Sequence, residues 1–264
     1  FGGINLEDIK APECFEIENR LKAELSIPVM HDDQHGTAII TGAAVINALK
    51  VAGKKIEDVK IVINGAGAAG ISIGKYLLDL GAKNVIWCDR KGVIVEGQEG
   101  INAAQAELPK ISNPNKVTGL LSDALVDADI FIGVSAPNIV SKDMIRSMAD
   151  KAIVFPLANP VPEISHDDAI EAGAYIIGTG SSKYPNQINN VLVFPGIFRG
   201  ALDAGAKDIN REMMIAASKA IAESIPEDKL SPENIIPLAF DESVHKKVAE
   251  KVAEAARASG VARK

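Results

Sequence analysis

The chain has 264 residues, of which 47% are hydrophobic and 24% charged, as is ordinary for a globular protein of one or two domains. The formal net charge is −7, and the basic patch that nucleic-acid binding requires is not apparent. The longest apolar stretch is too short and too interrupted for a membrane span. We therefore expect a cytoplasmic protein with reduced cysteines and with neither nucleic-acid nor membrane partners.

The first part of the chain predicts two short strands, each followed by a helix. The strands end at Leu6 and Met30, and the helices cover residues 12–25 and 37–52. Residues 31–36 read as a polar loop between the second strand and its helix. That helix is apolar on nearly every side, so we expect it to be buried.

A polar connector at residues 54–60 predicts an internal boundary. It divides a first segment, residues 1–53, from a larger unit, residues 54–264, whose last part, 194–264, is predicted to be helical. Strand and helix patterns alternate in this unit, which predicts an α/β fold with a doubly wound parallel sheet. The predicted strands are 59–64, 84–88, 129–134, 152–156 and 174–178. The predicted helices are 68–80, 99–107, 119–126, 141–149, 166–172, 195–204, 210–224 and 241–258.

The first strand of the predicted sheet runs into a glycine-rich turn that opens a helix. The turn, Gly65-Ala-Gly67-Ala-Ala-Gly70, has the spacing of the dinucleotide fingerprint. Gly65 allows a sharp turn, Gly67 lets a pyrophosphate approach the backbone, and Gly70 lets the helix pack closely on the strand. Asp89 ends the next strand, where it can accept hydrogen bonds from the adenine ribose. Arg90 could pair with a 2′-phosphate, so the pattern favours NAD and leaves NADP open.

Two acidic pairs follow the first two predicted strands. Glu7 and Asp8 come after the first strand, and Asp32 and Asp33 after the second. Adjacent carboxylates repel each other and are costly to bury without a cation, so the pairs could converge on Mg²⁺ or Mn²⁺. On spacing alone a simpler interpretation stays open, in which Asp32 or Asp33 caps the next helix and the first pair lies on the surface.

Three further polar stretches lie where a ligand could bind. Residues 133–137 and 156–162 follow strands of the predicted sheet, at the edge where a cofactor should sit. Within the second stretch, Asn159 either contacts a nicotinamide or a substrate carboxylate or simply forms an Asn-Pro turn. Asn189 and Asn190 precede an apolar run, and their amides either bind substrate or cap a helix.

Taken together, these stretches resemble the malic enzyme family, of the shorter bacterial or archaeal type. The motifs occur in the order of the family over essentially the whole chain. They are Asn5-Leu-Glu7-Asp8-Ile, Met30-His-Asp32-Asp33-Gln-His-Gly-Thr37, Asn64-Gly-Ala-Gly-Ala-Ala-Gly70, Cys88-Asp-Arg-Lys-Gly92, Leu157-Ala-Asn159-Pro, and Gln187-Ile-Asn-Asn190 with Phe194-Pro-Gly196. The resemblance implies a Rossmann-like NAD(P)-binding domain with flanking helices at both ends. It also implies a homodimer or larger homo-oligomer that oxidises L-malate with NAD(P)⁺ and decarboxylates it to pyruvate and CO₂, using Mg²⁺ or Mn²⁺.

The resemblance also implies roles for individual residues. The metal ligands would be Glu7, Asp8 and Asp33, and Asp32 would be an acid that supports the general base. The pyrophosphate loop would consist of Ala66, Gly67, Ala68 and Ala69. Asn159 would contact nicotinamide and malate, and Asn190 would contact malate.

One part of the family pattern is missing from this sequence. The general base of the family, a lysine, and its general acid, a tyrosine, precede the metal ligands in an N-terminal domain. Because the chain also lacks an initiator methionine, we expect a piece of a longer protein that turns over malate poorly by itself. Two alternatives stay open: another NAD-dependent dehydrogenase, such as an amino-acid dehydrogenase, or a non-catalytic NAD-binding module.

Overall fold

The computed structural model describes residues 1–263, which form a six-stranded sheet covered by helices and a separate two-stranded pair. The strands are β1 (Ile4–Leu6), β2 (Val29–His31), β3 (Lys60–Asn64), β4 (Asn84–Asp89), β5 (Gly92–Val93), β6 (Ile130–Gly133), β7 (Ile153–Pro156) and β8 (Ile176–Ile177). The helices are α1 (Glu13–Glu24), α2 (Asp32–Ala52), α3 (Ala68–Asp79), α4 (Ala103–Ala106), α5 (Leu108–Ile111), α6 (Leu121–Leu125), α7 (Lys142–Arg146), α8 (His166–Glu171), α9 (Phe194–Asp203), α10 (Arg211–Ala222) and α11 (Glu242–Ala258). Short 3-10 turns occupy Asn190–Leu192 and Glu227–Lys229.

The large sheet has the strand order β5-β4-β3-β6-β7-β8, and only the pairing of β5 with β4 is antiparallel. From β3 the chain moves outward to β4 and β5, and then continues on the other side of β3 through β6. The predicted doubly wound sheet is therefore confirmed, with its switch point between β3 and β6, where Asn64 pairs with Gly133. The two-residue β5 is not predicted by the sequence, because so short a strand leaves no periodic pattern.

Both faces of this sheet are buried. Ile61 and Ile63 of β3 point into a core shared with α2, α3 and α10. Val62 and Phe131 point to the opposite face, where α6, α7 and α8 complete a second core. Burial on both faces explains why the central strands read as continuous apolar runs.

The long helix α2 begins at Asp32, directly after β2, so the predicted loop at residues 31–36 is wrong. Acidic side chains suit the first turn of a helix, because the helix dipole favours negative charge there. Since that turn is polar, a search for apolar residues at helical spacing does not detect it. Among residues 1–263, α2 is the one helix long and apolar enough to cross a membrane by length and composition. However, 72% of its apolar window is buried against the rest of the fold, as in the core helix of a globular protein.

The strands β1 and β2 pair in parallel, with Ile4 opposite Val29 and Leu6 opposite His31. Their carboxyl ends therefore lie side by side, and the chain enters α2 immediately after β2. Because α2 packs against both α3 and α10, the first part of the chain shares the main core. The division at residues 54–60 stays a prediction.

Other elements differ from prediction in length rather than in kind. The predicted helix at 99–107 is shorter than expected: α4 covers only the later part of that range, and a second one-turn helix, α5, follows it. Pro109 lies in the first turn of α5, and a proline cannot continue a preceding helix because it lacks the N–H group. The predicted strand at 174–178 shortens to the two residues of β8.

Candidate active site

The glycine-rich turn connects β3 to α3, and its geometry requires glycine at two positions. Gly65 has a φ of +113°, and a Cβ there would lie 2.6 Å from the carbonyl oxygen of Val134. A Cβ on Gly70 would lie 1.7 Å from the carbonyl oxygen of Gly65. By contrast, Gly67 faces open space, with no atom within 4 Å of a Cβ built on it. The turn is thus closed on the sheet side and open toward solvent at Gly67.

A tryptophan behind the turn fixes its position. The indole N–H of Trp87 donates a hydrogen bond to the carbonyl oxygen of Gly70 at 2.9 Å. The ring lies against Gly74, where a Cβ would come within 2.1 Å of it. The first turns of α3 are therefore held to β4 by one buried hydrogen bond and by close packing.

A cleft of about 640 Å³ opens over the glycine turn at the carboxyl ends of β3, β4 and β6. That volume lies within the range of about 300–1,000 Å³ that is usual for small-molecule sites. Five of the predicted cofactor residues line it: Gly65, Ala66, Gly67, Asp89 and Arg90. Ala68, Ala69 and Gly70 lie beside it in the first turn of α3, and Asn159 is not among the lining residues.

Asp89 ends β4 with both carboxylate oxygens already hydrogen-bonded within the chain. Oδ1 accepts the backbone N–H of Lys91 at 2.7 Å, and Oδ2 accepts Nε2 of Gln98 at 3.0 Å. These contacts hold the carboxylate at the cleft, and each oxygen keeps a lone pair for a further donor. The arrangement suits a ribose hydroxyl, and that contact stays a prediction.

Three cleft residues make contacts that the sequence does not predict, although Ser135 belongs to the predicted ligand-binding stretch at residues 133–137. Nε2 of Gln105 donates to the carbonyl oxygen of Ala66 at 2.9 Å, which ties a distant loop to the glycine turn. Nδ2 of Asn64 donates to Oγ of Ser135 at 2.6 Å, across the switch point of the sheet. The one sequence signal for Gln105 is the Asn102-x-x-Gln105 spacing of a capping box, which the structure contains.

The two predicted acidic pairs lie together at the ends of β1 and β2. The backbone N–H of Asp8 donates to Oδ2 of Asp33 at 2.9 Å. The charge of Glu7 acts on Asp32 strongly enough to raise its pKa. Parallel pairing of β1 with β2 therefore brings the two acidic pairs, Glu7-Asp8 and Asp32-Asp33, together as one acidic cluster.

Asp32 is the buried member of this group, with 4% of its surface exposed. Burial, followed by the charges of Glu7 and Asp33, raises the pKa of its carboxyl from 3.8 to about 7. Its Oδ2 accepts Nδ2 of Asn190 at 2.5 Å, which opposes the rise. Its Oδ1 is buried without a partner. A Cβ on Gly36 would lie 1.8 Å from that oxygen, so only glycine leaves it room.

The donor set fits a hard divalent cation in type. Within residues 1–263, no three His, Cys, Asp or Glu side chains lie close enough together to enclose a metal ion. Even so, a cation would relieve both the repulsion that raises the pKa of Asp32 and the unpartnered state of its Oδ1. Carboxylate oxygens are the ligands that Mg²⁺ and Mn²⁺ prefer. Metal binding by Glu7, Asp8 and Asp33 stays a prediction.

The acidic cluster and the cofactor cleft lie at the same end of the molecule. The helices α2 and α3 pack side by side and run in the same direction, since Gln34 contacts Ser72 and Gly42 faces Tyr76. Their N-terminal turns, which carry the acidic group and the glycine motif respectively, are therefore neighbours. Of the two predicted amides, Asn190 is brought to the acidic cluster, whereas Asn159 lies exposed in the loop after β7.

Comparison with known proteins agrees with this arrangement. A family model described as "Malic enzyme, NAD binding domain" matches residues 34–257. The whole chain is 55% identical to the bifunctional malic/malolactic enzyme of Bacillus subtilis and covers 64% of it. It is 53% identical, again over its whole length, to the NAD-dependent malic enzyme of Geobacillus stearothermophilus and covers 55% of that protein.

A solved structure extends the likeness to the fold. The NAD-dependent malic enzyme from Thermotoga maritima superposes with a TM-score of 0.92 at 51% identity, over 96% of this chain and 67% of that one. The chain thus spans roughly 55–64% of the length of these two curated relatives. Cofactor cleft, sheet topology and sequence agree: the chain belongs to the malic enzyme family, and its residues 34–257 match the NAD-binding domain of that family.

Proposed function

We propose that this chain forms the cofactor-binding and metal-binding part of an enzyme that oxidises L-malate with NAD(P)⁺ and decarboxylates it to pyruvate and CO₂. The observation that carries the proposal is the proximity of two sites, the dinucleotide cleft and the acidic cluster, at the adjoining N-termini of α2 and α3. Membership of the malic enzyme family supports the same reaction. The relatives are longer than this chain, so other parts of the enzyme would supply further groups.

On this proposal, the residues of the chain bind and orient rather than react. Glu7, Asp8 and Asp33 would hold Mg²⁺ or Mn²⁺, and the open backbone at Gly67 would receive the pyrophosphate. When bound, the metal supplies Lewis-acid polarisation of the substrate oxygen, and the nicotinamide supplies the hydride acceptor. Asp32, fixed by Asn190, would hold a proton or a positive partner at the buried edge of the site.

We further propose that NAD is preferred over NADP. The carboxylate of Asp89 is held in the cleft by Lys91 and Gln98, where it would accept a 2′-hydroxyl and repel a 2′-phosphate. Arg90 and Lys91 also line the cleft, and either cation would attract a 2′-phosphate.

A homodimer or larger homo-oligomer in the cytoplasm completes the proposal. Large apolar side chains such as Leu238 and Phe240 are 84% and 86% exposed, which suits burial in an interface. Light scattering on the purified protein should give at least twice the mass of one chain, and a monomer over the whole concentration range would contradict the oligomer.

The proposed location in the cytoplasm is supported by the two cysteines. Both are free and buried, which suits a reducing compartment.

The test of the reaction class is a calorimetric titration of NAD⁺ and then L-malate into the chain, with and without Mn²⁺. We expect malate to bind only when both NAD⁺ and Mn²⁺ are present. The Asp33→Asn variant should bind NAD⁺ but not malate, with or without Mn²⁺, and Asp228→Asn, at an exposed aspartate, is the matched control. Malate binding that ignores Mn²⁺ would favour a metal-independent dehydrogenase. Binding of NAD⁺ with no response to malate, even after the part of a relative that this chain does not match is added in trans, would favour a non-catalytic module.

A further inference from the structure

A buried glutamate links the two loops that follow β6 and β7. Glu163 has 0% of its surface exposed. Its Oε1 accepts the backbone N–H of Ser135 at 2.9 Å, and its Oε2 accepts the backbone N–H of Ala158 at 3.1 Å. One carboxylate therefore joins backbone groups of two separate loops.

The same two loops are also joined by two backbone hydrogen bonds farther from the sheet. The N–H of Asn138 donates to the carbonyl oxygen of Pro162 at 3.0 Å, and the N–H of Val140 donates to that of Glu163 at 3.0 Å. These bonds fix the far ends of the loops. Next to the sheet, the N–H of Leu157 donates to the carbonyl oxygen of Gly133 at 2.8 Å, and the side chain of Glu163 extends this link to Ser135 and Ala158.

The strand β6 makes room for the carboxylate. A Cβ on Gly133 would lie 2.3 Å from Cδ of Glu163, so the last residue of β6 must be glycine for the side chain to fit. Burial raises the pKa of Glu163, and the two N–H donors oppose the rise. An isolated carboxyl is costly to bury, so a site that both accommodates and hydrogen-bonds it is specific to this residue.

One of the two loops contributes to the wall of the cleft, and the other carries the predicted contact of the nicotinamide. Ser135 lines the cleft and accepts the hydrogen bond from Asn64 at the end of β3. Ala158 directly precedes Asn159, the predicted contact of the nicotinamide. The carboxylate of Glu163 thus holds the neighbour of the nicotinamide residue at a fixed place relative to the cleft wall.

We propose that Glu163 is a positioning residue for the nicotinamide half of the cofactor, which it serves by holding the β6 and β7 loops together at the mouth of the cleft. The inference rests on the proposed function only in taking Asn159 as the nicotinamide contact. The adenine half would lie at Asp89 and the pyrophosphate at Gly67, which belong to other loops. Loss of the carboxylate should therefore affect one half of the cofactor selectively.

The test compares binding of NAD⁺ with binding of ADP-ribose, which lacks the nicotinamide ring. The wild-type chain should bind NAD⁺ more tightly than ADP-ribose. In Glu163→Gln one carboxylate oxygen becomes an NH₂ group that faces a backbone N–H, so one of the two links is lost. We expect affinity for NAD⁺ to fall about tenfold, the effect of one lost buried hydrogen bond, with affinity for ADP-ribose unchanged.

Two further variants sharpen the comparison. Gly133→Ala displaces the carboxylate from the opposite side and should cause the same selective loss. Glu233→Gln, at an exposed glutamate, is the matched control and should bind both ligands like the wild type. Equal losses for NAD⁺ and ADP-ribose would overturn the proposal, because they indicate general damage, as would a wild type that binds both ligands equally.

Hydrogen exchange on the wild-type chain provides a test that needs no variant to fold. The amides of Ser135 and Ala158 should exchange much more slowly than the amide of the exposed neighbour Ala136. Equally fast exchange at all three would overturn the proposal.

The role of Glu163 and the proposed reaction can fail separately. A chain that passes these tests and yet shows no metal-dependent malate binding would contradict the proposed reaction and leave the role of Glu163 intact.

Discussion

Asn190 donates a hydrogen bond from Nδ2 to Oδ2 of Asp32 at 2.5 Å, across 158 positions of the sequence. The contact joins the 3-10 turn before α9 to the first turn of α2. It is the one hydrogen bond to the Asp32 carboxylate among residues 1–263, because Oδ1 is buried without a partner. The position of the acid therefore depends on a residue from the C-terminal part of the chain.

Replacement of Asn190 by alanine should destabilise the chain. Both oxygens of Asp32 would then be buried without a partner, and we expect the free energy of unfolding to fall by about 1–3 kcal/mol. Urea unfolding, followed by circular dichroism at pH 8, measures the change. Asn115→Ala, at an exposed asparagine, is the control and should change stability by less than about 0.5 kcal/mol. Equal stability of the two variants would show that the contact is dispensable.

The stability of the metal-free chain should depend on the protonation of Asp32. Its pKa is raised from 3.8 to about 7, so between these values the folded state holds a proton that the unfolded chain has lost. The contribution of Asp32 to stability is therefore greatest below this interval and declines as the pH rises through it. Urea unfolding at a series of pH values, in the presence of a chelator, should show the decline in the wild type and not in Asp32→Asn.

The control for this pH effect is Asp58→Asn, at an exposed aspartate, which should keep the decline. Saturating Mn²⁺ should remove the decline in the wild type, because a bound cation stabilises the ionised carboxylates. Identical pH profiles for Asp32→Asn and the metal-free wild type would assign the effect to another group.

Alanine substitutions at two glycines of the turn should separate folding from binding. Gly70→Ala brings Cβ against the carbonyl oxygen of Gly65 and should lower the free energy of unfolding by about 3 kcal/mol. Gly67→Ala meets no atom within 4 Å and has a φ of −90°, so stability should change by about 1 kcal/mol or less.

Affinity for NAD⁺ should nonetheless fall in Gly67→Ala by at least about tenfold, because the methyl group occupies the approach of the pyrophosphate. Thermal unfolding and calorimetric titration of the same preparations give both quantities. Unchanged NAD⁺ affinity in a folded Gly67→Ala protein would place the pyrophosphate elsewhere.

Removal of the Asp89 carboxylate should weaken NAD⁺ binding and relax the preference against NADP⁺. Asp89→Ala loses the proposed ribose acceptor and the bonds from Lys91 and Gln98, so we expect affinity for NAD⁺ to fall about tenfold or more. Asp89→Asn keeps an oxygen for the N–H of Lys91 and removes the negative charge. In this variant the ratio of NAD⁺ to NADP⁺ affinity should fall most clearly, and a constant ratio would exclude Asp89 from cofactor discrimination.

Local pattern was sufficient for the central sheet and the glycine turn. Strands such as β3 are continuous apolar runs, and Gly65, Gly67 and Gly70 occupy positions whose spacing is fixed by backbone geometry. The start of α2 was harder to predict, because Asp32 and its polar neighbours lack the apolar period of the rest of that helix.

Two long-range side-chain contacts could not be inferred from the sequence. Glu163 lies 28 positions from Ser135, and nothing in the intervening residues signals that its carboxylate would be buried against a strand end. The pairing of Asn190 with Asp32 is of the same kind, since each residue is unremarkable in its own segment. The resemblance to a family pointed to Asn190 as a contact of malate but not to its partner.

Trp87 is the single tryptophan of the chain, and its indole N–H is bonded to the carbonyl of Gly70. All tryptophan fluorescence of the chain therefore originates beside the glycine turn. Its emission would respond to ligands that enter the cleft and would transfer energy to a reduced nicotinamide bound there. The fold thus contains its own spectroscopic probe of cofactor occupancy, without any added label.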